Sequence, residues 1–271
     1  MRVLFFGDVV GSPGRGAVAA VLPEWRARYQ PDIVIANGEN AAGGTGITPN
    51  IAAELFALGI DVLTLGNHTF KKKEAVALLE SEPRVLRPAN YPPGVPGRGY
   101  GVFPAGAGQL GVINLLGRIF MDPLDDPFRC ANAIIPLLRE QTPCIMIDIH
   151  AEATSEKAAL AWMVDGQVSA VLGTHTHVPT ADARILPAGT GFITDVGMAG
   201  PRNAVLGVKT EPVLTHFLTW MPTRFEIAAG PTIVSAVLVD IAAESGHTEK
   251  ISYLEVIDAH PPRMAEAGKT V

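Results

Sequence analysis

The sequence predicts an α/β fold in which a single domain is built on largely parallel strands. Short apolar runs rich in β-branched residues alternate along the chain with segments of helical periodicity. Of the 271 residues, 48% are hydrophobic and 18% are charged, which indicates many strands covered on both faces. The length fits one large domain, and no repeat or linker divides residues 1–271.

The first half of the chain predicts three strands, each followed by a helix, with the strands at residues 3–6, 32–36 and 61–65. A helix is expected from the Gly11–Arg15 turn to about Tyr29, with Ser12 as its cap and Pro13 at its first position. Further helices are expected at residues 48–58 and 71–80.

The second half continues the pattern after a loop rich in Pro and Gly at residues 88–101. Strands are expected at residues 109–116, 144–149, 168–172 and 192–194, and an antiparallel hairpin or edge pair at 233–241 and 251–257. Asp126 and Pro127 open a helix that Pro136 is expected to kink or shorten. Other helices are expected at 156–164 and from residue 210 toward Trp220.

Six of these strands end in polar side chains of the kinds that bind metals or substrates. These residues are Asp8, Glu39 with Asn40, Asn67 with His68, His150, His175 with His177, and Asp195. Loops at the carboxyl ends of parallel strands share one edge of a sheet, and ligands bind there. We therefore expect these side chains to converge in space.

The segment Gly173–His177 places two imidazoles two residues apart, directly after a strand. In an extended backbone, His175 and His177 would lie on the same side of the chain. They could then bind one transition metal together, or one ion each of a metal pair. The alternative is that both histidines are ordinary residues of a surface loop.

The candidate ligands offer oxygen and imidazole donors without a thiolate. They are Asp8, Glu39, Asn67, His150, His175 and His177. Such mixed donors suit Mn²⁺, Fe or Zn²⁺ better than Ca²⁺. Six side chains exceed what one catalytic ion with open positions needs, and they suffice for two ions that share a carboxylate.

Six motifs, read in chain order, carry a family resemblance. They are GDVVGSPGR (7–15), ANGENAAGG (36–44), GNHTF (66–70), DIHAEATSEK (148–157), GTHTHVPTAD (173–182) and TDVGMAG (194–200). Their order resembles the calcineurin-like metallophosphoesterases, and their detail resembles the YmdB-like family of bacterial phosphodiesterases. The resemblance spans residues 2 to about 210, and it implies two facing mixed β-sheets flanked by helices, an αββα sandwich.

The resemblance also implies two transition-metal ions, iron or manganese in preference to zinc, that share Glu39 as a bridging ligand. The first ion would be held by Asp8, Glu39 and His177, with Asn40 nearby or bound. The second would be held by Glu39, Asn67, His150 and His175. The chain departs from the wider superfamily because no histidine follows Asp8, Glu39 replaces an aspartate, and Thr69 follows the GNH motif. The YmdB-like family shares these departures, and Asn40 could fill the place of the missing imidazole.

For activity, the resemblance implies a phosphodiesterase that opens 2′,3′- or 3′,5′-cyclic nucleotides to nucleoside monophosphates. A metal-bridging hydroxide would attack, and His68 would protonate the leaving oxygen. The alternative role for His68 is to orient Asn67. Two alternative functions are a phosphomonoesterase or protein phosphatase on the same centre, and a metal-bound regulatory scaffold.

Other residues support weaker predictions. Arg15 and Arg118 could contact a phosphate or lie in solvent or an interface, and Thr45 could belong to a lid or to a simple glycine-rich turn. Asp148 and Glu152 flank His150 and could orient its ring, or they could have an ordinary strand-end or helix-cap role. Asp195 is expected to support the histidines without binding metal.

Composition narrows the partners and the location. The net charge of −6 and the lack of a long basic run argue against a broad nucleic-acid surface, although metals and a few arginines could still hold a small phosphate-bearing ligand. The resemblance implies that this ligand is a small phosphodiester substrate. We expect no membrane contact and no signal peptide. Cys130 and Cys144 are expected to be reduced thiols in a cytoplasmic protein. The apolar stretch around Trp220 and Phe225 suggests a homo-oligomer, or alternatively a part of the core.

Overall fold

The computed structural model describes residues 1–258, which fold into two facing β-sheets between layers of helices. His260, to which the sequence assigns no role, lies outside the described residues. The strands are β1 (Arg2–Val9), β2 (Ile33–Asn37), β3 (Val62–Thr64), β4 (Val85–Leu86), β5 (Tyr100–Ala105), β6 (Gly108–Leu116), β7 (Ile145–His150), β8 (Ala170–Thr174), β9 (Arg184–Ile185), β10 (Gly191–Ile193), β11 (Met198–Pro201), β12 (Thr232–Ile241) and β13 (Thr248–Ile257). The helices are α1 (Gly11–Tyr29), α2 (Pro49–Ala57), α3 (Ala75–Ser81), α4 (Pro127–Arg139), α5 (Thr154–Met163) and α6 (Thr210–Thr219).

Both sheets are mixed, as predicted. The first has seven strands in the order β13-β12-β11-β1-β2-β3-β4, of which β1 to β4 and β11 are parallel neighbours. The second has six strands in the order β5-β6-β7-β8-β10-β9, with a parallel centre and antiparallel edges. The expected hairpin is present, because β12 pairs with β13 in antiparallel register.

Alternation along β1 explains the layered core. Val3 and Phe5 point into an apolar layer between the two sheets, where they join Met146 of the second sheet. The intervening residue Phe6 points the other way and stacks on Trp25 of α1, with ring centroids 5.4 Å apart. A third apolar cluster joins the outer face of the second sheet to α4 and α5. The predicted αββα sandwich is therefore confirmed.

Several helix boundaries differ from the predictions. Helix α1 begins at Gly11, and its cap residue Val10 makes no capping bond through its side chain, so Ser12 does not cap the helix and Pro13 is not its first residue. The predicted helix at 71–80 begins only at Ala75, because residues 71–74 form turns. Within residues 1–258, no helix is long and apolar enough to cross a membrane.

Helix α4 begins as predicted and ends later than expected. The Asp126 side chain accepts hydrogen bonds from the backbone N–H groups of Phe128 and Arg129, which caps the first turn. Pro136 does not end the helix, which continues to Arg139. Buried side chains on both sides of this proline hold the last turn against the second sheet, and they include Ile135 and Leu138. Packing therefore outweighs the hydrogen bond that proline cannot donate.

Candidate functional site

The polar residues at the strand ends converge around His150, the last residue of β7. Its Nε2 atom lies 3.1 Å from Glu39 Oε1, 3.1 Å from Asn67 Oδ1 and 3.0 Å from His175 Nδ1. Glu39 follows β2, Asn67 follows β3 and His175 follows β8. Both sheets therefore contribute to one group of donors, here called the donor cluster, which consists of Glu39, Asn67, His150 and His175.

The donor cluster has the spacing of ligands around one metal ion. Ligand atoms of Glu39, His150 and His175 all lie within 4.8 Å of one another. Because bonds from N and O donors to such metals are about 2.0–2.2 Å long, neighbouring donors around one ion lie about 3 Å apart. The distances around His150 match that spacing, so these residues could hold a metal.

Asp8 adds a second group of donors next to the first. Its Oδ1 atom lies 3.8 Å from His177 Nε2 and 3.8 Å from His150 Nδ1, while its Oδ2 atom accepts a 3.0 Å hydrogen bond from the His175 backbone N–H. Asp8 Oδ1 and Asn40 Oδ1 are buried oxygen atoms that accept no hydrogen bond from any described residue. Unpartnered buried oxygens are costly, and a cation would satisfy them. The predicted ligands Asp8 and Asn40 thus fit a metal site.

Gly66 allows the donors to approach one another. A Cβ atom added at this residue would collide with Glu39 Oε2 and with the imidazole ring of His150. Only a residue without a side chain leaves room for a carboxylate and an imidazole at this point of the GNH motif. The glycine is therefore needed for the geometry of the donor cluster.

The turn from His175 to His177 is not extended, contrary to the sequence prediction. Both residues have positive φ, 102° for His175 and 63° for His177, which is rare for residues with side chains. The two imidazoles consequently reach different neighbours, His150 for His175 and Asp8 for His177. Backbone conformations of this kind cost roughly 1–3 kcal/mol each and concentrate at functional sites.

Burial and charge shift the pKa values of the central groups in opposite directions. Burial raises the pKa of Asp8. Burial would also raise the pKa of Glu39, but the imidazoles of His150 and His68 outweigh it and hold that pKa well below its usual value. Burial disfavours a charged His150, yet Glu39, Asp8 and Asp148 together raise its pKa to about 9. The carboxylates therefore create a site that favours positive charge.

His175 responds in the opposite direction. Burial, followed by the positive charge of the neighbouring His150, lowers its pKa to about 3. Its imidazole is therefore neutral at neutral pH, which is the form that binds metals. On its far side, His175 Nε2 lies 3.1 Å from Glu152 Oε2. Glu152 thus contacts His175, whereas the sequence expected it to orient the ring of His150.

Below the donor cluster, a buried hydrogen-bond network fixes the ring of His150. His150 Nδ1 lies 2.9 Å from the Thr174 hydroxyl, which donates a 2.7 Å hydrogen bond to Asp148. Asp148 also accepts hydrogen bonds from Thr64 and Asn37. Burial raises the pKa of Asp148 to about 6. Asp148 therefore acts on His150 through Thr174, an intermediary that sequence reasoning missed.

His68 lies at the boundary between the donors and open space. Its backbone N–H donates a 3.0 Å hydrogen bond to Glu39 Oε2, and its Nδ1 atom lies 3.1 Å from Glu39 Oε1. The same Nδ1 atom lies 3.3 Å from Asn40 Nδ2, and the side chain is 25% exposed. The ring is thus held by Glu39 and Asn40 and faces the cavity.

The cavity beside these groups has a volume of about 420 Å³. Part of its lining is polar and consists of Glu39, Asn40, His68, His175 and His177. Another part, here called the apolar wall, consists of Val10, Leu206, Val208, Phe225 and Ile227. The exposed Thr45 lies at the edge of this cavity with Gly43 and Gly44, as the lid prediction requires.

The two candidate arginines lie away from the cavity. Arg15 donates hydrogen bonds to Glu54 at 2.9 Å and to the Ala41 carbonyl at 2.6 Å. Arg118 donates a 3.0 Å hydrogen bond to Asp126. Neither arginine is among the described residues that line the cavity. Each bonds to a carboxylate that is not part of the lining, Glu54 for Arg15 and Asp126 for Arg118. Their predicted contact with a phosphate has no geometric support.

Sequence reasoning also missed Lys157 and most of the apolar wall. Lys157 stands within the motif at residues 148–157, and a lysine among alanines and leucines of a helix is a signal that could have been noticed. The residues of the wall between 206 and 227 follow no motif or periodicity that points to a binding site.

Comparison with known proteins identifies the family. A family model for YmdB-like proteins matches residues 4–254, nearly the whole chain. This chain belongs to the YmdB-like family. A 2′,3′-cyclic-nucleotide 2′-phosphodiesterase of Bacillus subtilis (strain 168) is 50% identical to it over 260 residues, which are 96% of this chain and 98% of that protein.

Solved structures share the fold of this chain. A hypothetical protein of Thermus thermophilus is 48% identical and has a TM-score of 0.90, with 95% of this chain and 100% of that chain covered. The calcineurin-like phosphoesterase YfkN of Bacillus subtilis is 14% identical and has a TM-score of 0.58, with 96% and 90% covered, so it shares the fold. The predictions of the family, the fold and a metallophosphoesterase enzyme are therefore confirmed.

Proposed function

We propose that this YmdB-like protein is a metal-dependent phosphodiesterase that hydrolyses cyclic nucleotides, of the 2′,3′ or the 3′,5′ type. One observation carries the proposal: oxygen and nitrogen donors from both sheets converge at the cavity, where the Asp8 Oδ1 atom is buried without a partner among the described residues. The Bacillus subtilis relative is named a 2′,3′-cyclic-nucleotide 2′-phosphodiesterase, which supports 2′,3′-cyclic nucleotides as the first substrates to test.

We propose two metal ions, iron or manganese in preference to zinc. Asp8, Glu39 and His177, with Asn40, would hold the first ion, and the donor cluster would hold the second, with Glu39 shared between them. Bound there, the ions would polarise the phosphate and lower the pKa of the attacking water. Glu39 and Asp8 support this proposal, because both carboxylates raise the pKa of His150 and so favour positive charge among the donors.

His68 is proposed as the general acid. A proton on its Nδ1 atom can bond to Glu39 Oε1, 3.1 Å away, which fixes the ring and leaves the proton on Nε2 for the substrate. The oxygen of water loses one proton to solvent and forms a bond to phosphorus, the P–O bond within the cyclic diester breaks, and the freed oxygen takes the proton of His68. His68 then regains a proton from solvent. The product is a nucleoside monophosphate.

We also propose that the chain is a cytoplasmic homo-oligomer. Apolar side chains at the end of α6 are exposed in the monomer, with exposed fractions of 82% for Leu218, 78% for Trp220 and 62% for Met221. A cluster of this kind is typical of a protein interface. Multi-angle light scattering would test this, because a monomeric mass at micromolar concentration would contradict it.

Substrate preference tests the proposed function. The protein loaded with Mn²⁺ or Fe²⁺ should hydrolyse 2′,3′-cyclic AMP, 3′,5′-cyclic AMP or both, and it should prefer bis-p-nitrophenyl phosphate to p-nitrophenyl phosphate. The E39Q variant should lose this hydrolysis, which assigns it to the proposed centre. A strong preference for the monoester would instead favour a phosphatase, and full activity in E39Q would remove Glu39 from the reaction.

A further inference from the structure

The apolar wall lines the same cavity as Glu39, His68 and His175. Four of its five side chains come from the segment between β11 and β12, namely those of Leu206, Val208, Phe225 and Ile227. Phe225 is 51% exposed and Leu206 is 46% exposed, although both line the cavity. Large apolar groups left open beside a charged centre are costly to hydrate unless a ligand covers them.

The segment that carries the wall is held in a defined shape. Val205 and Val208 exchange backbone hydrogen bonds of 2.9 and 3.0 Å around a tight turn, in which Leu206 and Gly207 have φ of 53° and 88°. Val208 in turn pairs with Ile227 in antiparallel register. The wall is therefore an ordered surface and not a loose loop.

The wall is also joined directly to the donors. The backbone carbonyl oxygen of Leu206 lies 3.0 Å from His177 Nδ1, so the turn contacts a proposed metal ligand. Ile227 packs on the glycine-rich loop so closely that a Cβ atom at Gly44 would lie 2.6 Å from its Cδ1 atom. The wall is therefore fixed in position relative to the donors that would bind the phosphate of a ligand.

We propose that the apolar wall is the binding site for the base of the nucleotide, with the Phe225 ring stacked on the base. This inference rests on the proposed function. A cyclic nucleotide has a charged phosphate at one end, which the donors would bind, and a flat apolar ring at the other end, which the wall would bind. The five side chains of the wall are all apolar and offer no hydrogen bonds to the edges of a base. Stacking accepts every base, so the site should take purine and pyrimidine nucleotides, with the larger purine bound more tightly.

A substrate that lacks the base separates stacking from the rest of binding. Wild type and F225A would be compared on 2′,3′-cyclic AMP and on the 2′,3′-cyclic phosphate of 1-O-methylribose. F225A should raise KM for cyclic AMP at least about fivefold and leave KM for the baseless substrate within about twofold. F225Y should retain wild-type KM, and F225L should behave like F225A, because it keeps an apolar side chain but loses the ring.

The matched control is F120A, since Phe120 is 90% exposed and is not among the described residues that line the cavity. It should leave both KM values unchanged, and circular dichroism should show all variants folded. If F225A raised KM equally for both substrates, or for neither, the base-binding site would be wrong while the phosphodiesterase would stand. If wild type hydrolysed neither of these substrates nor 3′,5′-cyclic AMP, the proposed function would fail, and the base-binding site with it.

Discussion

The ammonium group of Lys157 lies 2.7 Å from Asp195 Oδ2, and both side chains are buried. The same carboxylate accepts hydrogen bonds from the backbone N–H groups of Thr176, at 3.1 Å, and Gly197, at 2.8 Å. Thr176 stands between the two histidines that have positive φ. A buried ion pair between α5 and the end of β10 thus supports the strained turn that presents both imidazoles.

Replacing Lys157 with methionine should destabilise the protein and weaken metal binding. The variant leaves the carboxylate of Asp195 buried without its partner, which typically costs about 3–5 kcal/mol of folding free energy. Denaturant unfolding would measure that loss, and inductively coupled plasma mass spectrometry would measure bound metal. The matched control is K209M, because Lys209 pairs with Glu226 at 2.6 Å on the exposed surface. A K157M protein as stable as K209M would show that the ion pair does not support the turn.

The G66A variant should lose metal while remaining folded. The added methyl group would collide with Glu39 and the His150 ring, and one of the two donors would have to move. We expect substoichiometric metal and hydrolysis near background. G16A is the matched control, since a Cβ atom at Gly16 in α1 meets no atom within 4 Å and should add about 0.5–1 kcal/mol of stability. Full metal content in G66A would contradict the arrangement of donors described above.

Removing metal should lower the melting temperature. Carboxylates and unpartnered oxygens gathered around one point repel one another without a cation. This repulsion should affect Asp8 Oδ1, which is buried without a partner among residues 1–258. Manganese at about 100 times its Kd would restore about 2.7 kcal/mol through binding to the folded state alone.

Differential scanning calorimetry of the chelated and reloaded protein would measure this difference. The E39Q variant provides the control, because it should melt at the same temperature with and without added manganese. If wild type also showed no change, the donors would not form a metal site.

The sequence was sufficient to predict which residues meet, because strand ends are a local signal. Apolar runs locate the strands, and parallel strands of one sheet bring their carboxyl ends to one edge, so Asp8, Glu39 and Asn67 could be placed together. Asp8 and His150 lie on different sheets, and their meeting depends on how the two sheets face each other. The two-sheet arrangement was supplied by the family motifs and not by periodicity, which does not specify which strands share a sheet.

Features that depend on tertiary contacts could not be predicted. The positive φ of His175 depends on contacts such as the hydrogen bond from its N–H to Asp8, a partner far away in the sequence. Ser12 fits a helix cap by local preference, but α1 begins at Gly11, two residues before the predicted first residue Pro13, and the Gly11 N–H donates to the Asn40 carbonyl at 2.9 Å. Phe225 fits a surface or a core position equally well until the chain around it is folded against Val208 and Ile227.

Leaving-group chemistry would test the role of His68. The H68Q variant keeps a side chain that can hydrogen-bond to Glu39, but it cannot deliver a proton. For a cyclic nucleotide, whose leaving oxygen is a poorly acidic alcohol, kcat should fall by about 10²–10⁴. For bis-p-nitrophenyl phosphate the fall should be much smaller, because nitrophenolate leaves without a proton.

Metal content provides the control for this comparison, since His68 Nδ1 lies only 3.1 Å from Glu39 and its replacement could disturb the centre. With metal retained, an equal fall for both substrates would assign His68 to positioning Glu39 and Asn40 instead of proton transfer. A loss confined to the cyclic nucleotide requires a proton donor. Of the imidazoles among the described residues that line the cavity, those of His175 and His177 are proposed metal ligands, and His68 is the one left to donate the proton.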